Sequence, residues 1–340
     1  MRAAVLYAPG DIRLENVPDP EPKNGHVIVK VEAVGVCGSD FPRMLIKGAH
    51  KMPLICGHEF CGRIVSLSPD VSGFEKDELV AIPPMLPCYE CDQCQRGQFS
   101  RCRNYDYFGS RRDGAYAEYV SVPVSNLIKA SQDLDPRAIA MTDPASIALH
   151  AIWKGGGVTA GDIGGVVGCG PIGLFAIQWL KLMGASEVVA IDVSPEKLEM
   201  ARQVGATHTA LGSDDLSELP LCNLIVEAAG HPSSINPAIR LAAPGGHAVF
   251  IGIPVGEVEL KNATFQHFLR QEVSLHGAWN SFGAPFPGPQ WSVTLDKLAS
   301  GALEWEFMIS HELPLEDLPG FFERLKTDKS LHYSKIMFRP

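Results

Sequence analysis

Four of the nine cysteines, Cys88, Cys91, Cys94 and Cys102, fall within fifteen residues in the pattern C-x2-C-x2-C-x7-C. Four thiolates so spaced can close a tetrahedral site by themselves and leave no position open for substrate, so they read as a structural zinc that staples a loop. Four unrelated buried thiols, or an iron–sulfur cluster, are the alternatives that spacing leaves. A second set is dispersed: Cys37 in Gly35-Val-Cys-Gly-Ser-Asp40, and His58-Glu59 in Cys56-Gly-His-Glu. A catalytic zinc takes about three protein ligands and keeps an exchangeable position for water or substrate. Cys37 and His58 supply a thiolate and an imidazole, and Glu59 and Asp143 are carboxylates that could complete the site or alternate with water. On spacing alone, Cys37 reads equally well as a small core residue and His58 as a hydrogen-bonded histidine.

A third stretch could hold a dinucleotide. It runs Ile163-Gly-Gly-Val-Val, then Gly168-Cys-Gly170-Pro171-Ile172-Gly173, then an apolar helix-like run to Gly184, then Glu187-Val-Val-Ala-Ile-Asp192. This is a strand, a glycine turn, a helix and a second strand closed by an acidic residue. Gly168 permits the tight turn, Gly170 lets the backbone approach a pyrophosphate, and Gly173 lets helix and strand pack closely. The turn residues, with Pro171 and Ile172 opening the helix, give the pyrophosphate a positive helix end. Asp192 is placed to accept hydrogen bonds from an adenosine ribose. Its charge favours NAD, because it would repel a 2′-phosphate and no arginine follows it directly. Lys197 either helps to hold that ribose or is a solvated lysine. Gly164-Gly165 is expected to weaken the first strand, having no side chains to pack.

The elements that must position these groups divide in two. A chain of 340 residues is too long for one core. Residues 3–7, 26–34, 63–67, 79–82 and 116–120 read as short strands punctuated by Gly and Pro, which suits a barrel-like domain. From 162 to 279 strand and helix alternate: Ile163–Val167, 188–192, 207–211, 224–227, 248–252 and 273–276 are the expected strands. Ser194 followed by Pro195 marks a helix start. Six strands with intervening helices make a doubly wound parallel sheet. After 280 come a proline-rich loop, a helix near 291–300 and a strand near 334–338, expected to fold back onto the first domain. The expected division is 1–146 with 280–340, and 147–279.

Hydrophobic content of 46% and charged content of 20% are those of an ordinary globular protein. A formal net charge of −10 argues against nucleic acid or an anionic membrane as the main partner. The N-terminus is too quickly polar for a signal peptide and no apolar run is long enough to span a bilayer, so a cytosolic location with reduced cysteines is expected.

Taken together, Cys37-Gly-Ser-Asp, Gly57-His-Glu, the four-cysteine lobe, Asp143-Pro and the Gly168 fingerprint resemble the zinc-dependent medium-chain dehydrogenase/reductase superfamily over essentially the whole chain. Within it, Cys37-Gly-Ser-Asp-Phe-Pro-Arg43, Lys47-Gly-Ala-His50, Tyr105-Asp-Tyr-Phe-Gly-Ser-Arg-Arg-Asp-Gly114 and Ala263-Thr-Phe resemble the polyol branch, in particular the galactitol-1-phosphate 5-dehydrogenases. The resemblance implies a GroES-like barrel formed by both chain ends, an inserted Rossmann domain, and an active site between them. It implies Cys37, His58 and Glu59 at a catalytic zinc, with Asp143 at a fourth position that is usually Glu; the shorter arm makes a bridging water the alternative to direct ligation. Zinc as a Lewis acid would lower the pKa of a secondary alcohol, and hydride would pass from the carbinol carbon to NAD. Ser39 would receive the hydroxyl proton; where many relatives continue the relay with His, this chain has Phe41-Pro42-Arg43.

The implied substrate is a small polyol or polyol phosphate, with galactitol 1-phosphate first. Ser110, Arg111 and Arg112, with Lys47 and His50 outside them, are the candidates for phosphate, since guanidinium offers a planar fork of donors. The alternative is that the arginines pair with Asp106 and Asp113. Other readings are an unphosphorylated polyol or threonine-type dehydrogenase, or a non-catalytic cofactor-binding structural protein, against which the ligand set speaks. A homodimer built by edge pairing of Rossmann sheets is the family expectation.

Overall fold

The computed structural model describes residues 1–328 and 330–340. The chain forms two compact units, Met1–Asp143 with Phe282–Pro340, and Pro144–Ser281. The first division falls inside the opening turn of the helix Thr142–Lys154.

The first unit is built on a seven-stranded sheet whose central strand is His26–Gly35. Val27, Val29, Val31, Ala33 and Val34 are buried there, and Lys30 is exposed. One edge of this strand pairs antiparallel with Glu59–Leu67. The other pairs with Tyr119–Pro123 and, at its far end, with Lys335–Arg339 from the C-terminus. Gly35 lies opposite Glu59 on one side and Met337 on the other. The register thus brings two distant segments to the Gly35 end of the strand, just before Cys37. A continuous apolar core includes Val5, Leu6, Phe60, Tyr116, Phe322 and Phe338.

The second unit is a six-stranded parallel sheet in the order His208–Leu211, Glu187–Asp192, Ile163–Val167, Cys222–Glu227, Ala242–Phe250, Ser274–Gly277. The order reverses between Ile163–Val167 and Cys222–Glu227, the switch point at which doubly wound sheets hold ligands. Helices Pro171–Leu182 and Pro195–Gln203 follow the first two strands in sequence, and the Ser194 hydroxyl caps the latter by accepting from the Lys197 amide at 3.3 Å. The fifth strand starts earlier than its apolar run, because Ala242 pairs with Cys222 across an irregularity in the ladder. No helix among the described residues is long and apolar enough to cross a membrane.

Gly164-Gly165 does not weaken its strand, which is paired on both sides. A Cβ on Gly165 would lie 2.7 Å from Cys222 Sγ and 2.8 Å from Ile225 Cγ1, and one on Gly164 would lie 2.8 Å from Leu180 Cδ1. The missing side chains are the space that the neighbouring strand and helix fill. Gly165→Val is therefore expected to cost about 1–3 kcal/mol by overpacking. Gly320→Ala, on an exposed helical face with nothing within 4 Å of the added methyl, should be neutral or stabilising. Denaturant unfolding of the two variants against the parent checks both.

Candidate active site

Cys37 follows the central strand of the first unit; His58 precedes, and Glu59 opens, the strand beside it. One ligand atom from each of the three lies within 4.8 Å of the others. His58 and Glu59 are buried and Cys37 is half-buried. Burial, then the charges of Glu59 and Asp40, push the Cys37 thiol up to about 12. Asp143 is buried but falls outside this cluster of three. Its carboxyl is pushed up to about 7, first by burial and then by the charge of Glu59. A soft thiolate, an imidazole and a carboxylate form a zinc-type donor set, and the crowding of acidic groups is what a bound dication relieves. The residues present fit the metal.

Asp40 orders this cluster from behind. It is fully buried, and its Oδ2 accepts from the Cys37 amide at 3.1 Å and from the Tyr116 hydroxyl at 2.9 Å. Its Oδ1 pairs with Arg43 Nη1 at 2.5 Å and lies 3.6 Å from His58 Nδ1. At 3.6 Å this carboxylate faces the imidazole without hydrogen-bonding it, and His58 Nδ1 makes no hydrogen bond among the described residues. Arg43 Nη2 also donates to Ser39 Oγ at 3.4 Å, so a permanent cation stands near the serine. Lys335 Nζ, buried, pairs with Glu59 Oε2 and donates to Val36 O. The Tyr107 ring meets His58 edge-on at 5.6 Å, and burial holds its hydroxyl protonated well above the usual tyrosine range.

The four lobe cysteines also converge, with one sulfur of each within 4.8 Å of the others. Cys88 Sγ lies 3.5 Å from Cys102 Sγ and 3.9 Å from Cys94 Sγ. The edge of a tetrahedron with zinc–sulfur bonds of about 2.3 Å is about 3.8 Å. Backbone amides of Arg103 and Cys94 bring the Cys91 thiol down to about 6, while burial pushes those of Cys94 and Cys102 up. Met85, Phe99, Phe282 and Trp291 pack around the lobe.

In the second unit, Gly168 has φ +96°, and a Cβ on Gly173 would lie 1.8 Å from the Gly168 carbonyl oxygen. A Cβ on Gly170 would have nothing within 4 Å, which leaves the helix end open to a ligand. Pro171 and Ile172 form the first turn of that helix. Asp192 accepts from the Cys169 amide at 2.7 Å and the Ser194 amide at 2.9 Å, which clamps the carboxylate to the glycine turn. Lys197 lies in the first turn of the following helix. Among the phosphate candidates, Arg112 pairs with Asp106 at 2.8 Å, while Arg111 lies over the Tyr105 ring at 4.5 Å. Ser110 is buried, and Lys47 and His50 are exposed.

Residues 23–132 match the alcohol dehydrogenase GroES-like domain and residues 171–295 match the zinc-binding dehydrogenase domain. The chain is 35% identical to galactitol 1-phosphate 5-dehydrogenase of Escherichia coli (strain K12), with 92% of each chain covered. It belongs to the zinc-dependent alcohol dehydrogenase family. The crystal structure of galactitol-1-phosphate dehydrogenase from Escherichia coli superposes with a TM-score of 0.94 at 33% identity, covering 100% of both chains. A zinc-binding dehydrogenase from Sinorhizobium meliloti, solved bound to NADP, gives 0.91 at 30% identity, covering 100% of this chain and 99% of that one.

Sequence reasoning about this dehydrogenase missed Asp40, Tyr107, Tyr116 and Lys335. Asp40 adjoins Ser39 in a motif already singled out and was a findable signal, whereas the partner of Lys335 lies 276 positions away. Neither tyrosine carries a local one. The lobe geometry gives a direct test. Cys88→Ser should lower bound zinc to about half and reduce the melting temperature, as expected when one of two sites is structural. Metal analysis paired with calorimetry reads both, and unchanged zinc with unchanged melting would remove the metal from the lobe.

Proposed function

We propose that this dehydrogenase oxidises a secondary hydroxyl of a polyol phosphate with NAD, galactitol 1-phosphate to tagatose 6-phosphate being the leading case. The observation that carries the chemistry is the convergence of Cys37, His58 and Glu59. They hold the catalytic zinc, which when bound supplies Lewis acidity toward the substrate hydroxyl. Asp143 stands outside the three as the bridging-water carboxylate. Asp40 holds the Cys37 backbone in place and faces His58, while Lys335 holds Glu59. Ser39 Oγ accepts the hydroxyl proton. Arg43, a guanidinium that stays charged and donates to Ser39 Oγ, cannot pass that proton on. Gly168, Gly170, Pro171, Ile172 and Gly173 cradle the pyrophosphate, with Asp192 and Lys197 at the adenosine ribose.

The substrate reading is supported by the similarity to galactitol 1-phosphate 5-dehydrogenase. Arg111 is its main cationic candidate, with Ser110 and His50 beside it in the proposal. The salt bridge of Arg112 to Asp106 favours the second reading, an unphosphorylated polyol. Asp192 supports NAD over the NADP seen in the Sinorhizobium relative, because its charge opposes a 2′-phosphate. Work in the cytosol as a homodimer paired at the sheet edge Ser274–Gly277 completes the proposal; nine free cysteines suit a reducing compartment.

Reduction of NAD and of NADP by zinc-replete protein, with galactitol 1-phosphate, galactitol and sorbitol side by side, tests the reading. A preference for NAD and for the ester is expected. Arg111→Ala should lower kcat/KM for the ester about tenfold, the scale of one charge-assisted hydrogen bond, and leave galactitol unaffected. Equal turnover of the free polyols would make the arginines structural and place the enzyme with the sorbitol type.

A further inference from the structure

Glu227 is the last residue of the strand Cys222–Glu227, at the switch point of the second unit, and is 0% exposed. One carboxylate oxygen, Oε1, accepts three hydrogen bonds: from the Ala229 amide at 2.9 Å, the Gly230 amide at 2.9 Å and the Ser234 hydroxyl at 2.6 Å. The other, Oε2, is buried and makes no hydrogen bond among the described residues. The Glu227 carbonyl accepts from the amides of Ile251 and Gly252, at 3.0 and 3.2 Å. The loops are in contact around it. A Cβ on Gly252 would lie 2.2 Å from the Gly230 nitrogen and 2.6 Å from Glu227 Oε2, and one on Gly168 would lie 2.5 Å from the Ala229 nitrogen. The Glu227 side chain thus holds the turn that leaves its own strand, and its backbone carbonyl holds the chain that leaves Ala242–Phe250; the turn held by the side chain packs in turn against Gly168 after Ile163–Val167.

A buried carboxylate with an unmet oxygen is costly, and a site that keeps one calls for a reason. Its position supplies the reason. In a doubly wound sheet the pyrophosphate sits at the first glycine turn and the adenosine lies toward the acidic end of the next strand, here Asp192. The other nucleotide half then crosses the switch point onto the loops that follow Cys222–Glu227 and Ala242–Phe250. Those are the loops that Glu227 ties. An anion accepts three donors on one oxygen more strongly than a neutral amide does. A glutamine would also place an N–H donor pair where Oε2 has no partner.

We propose that Glu227 is a positioning residue for the nicotinamide half of the cofactor: it sets the loops on which the ring rests and leaves the adenosine half untouched. This rests on the NAD reading above. The test titrates the full-length protein with NAD and with ADP-ribose, which lacks the nicotinamide, for the parent, Glu227→Gln and Ser234→Ala, with thermal melting alongside. For Glu227→Gln, NAD affinity should fall about tenfold, the scale of one buried group left unsatisfied, while ADP-ribose affinity stays within about twofold. Ser234→Ala, which removes one donor and keeps the carboxylate, should move NAD the same way by less, and it carries the test if Glu227→Gln does not fold. Equal weakening of both ligands, or no weakening of either, would overturn the assignment. Failure of the parent protein to bind NAD would overturn the cofactor reading itself, a result distinct from uniform loss in the variants.

Discussion

The first unit concentrates acidity where there is no water to dilute it. Cys37, Asp40, Glu59 and Asp143 converge at one end of the central strand, and such groups stay charged inside a protein only when matched by cations or donors. Arg43 answers Asp40, and Lys335 answers Glu59. Burial and the charge of Glu59 raise the pKa of both Cys37 and Asp143, and the charge of Lys335 opposes that rise at each. A divalent ion held by Cys37, His58 and Glu59 would turn this crowded assembly into a cohesive one, and its binding free energy would then be part of the free energy of folding.

The second unit solves a different problem with almost no charge. Its crevice is shaped by backbone and by missing side chains: Gly168 in the left-handed region, Gly170 open to solvent, Gly173 closed against the turn. The two carboxylates at its strand ends, Asp192 and Glu227, both accept backbone amides. Their first task is to hold loops still, which is what preorganisation of a ligand site requires.

What could be read from the sequence follows the range of the interactions. The four lobe cysteines, the glycine turn and the Ser194 cap are set by spacings of a few residues, and each was legible. The six parallel strands were legible as apolar runs, although the start of Ala242–Phe250 was hidden because a ladder irregularity, not apolarity, defines it. Tyr116 reaches Asp40 across 76 positions and Lys335 reaches Glu59 across 276, so no local pattern announces either. Gly164-Gly165 misled for the same reason: the side chains that fill their space come from residues 180, 222 and 225. At Arg112 two readings were open, and only the fold selects the partner, Asp106.

The Lys335–Glu59 pair has a consequence for how the first unit can be divided. The strand Lys335–Arg339 supplies both an edge partner for His26–Gly35 and the cation that pairs with Glu59, 276 positions away. The same Lys335 ammonium donates to the Val36 carbonyl, so one side chain clasps the residue before Cys37 and the carboxylate of Glu59 together. A chain without this strand would carry all three candidate zinc ligands of the active site and still lack the clasp that holds one of them.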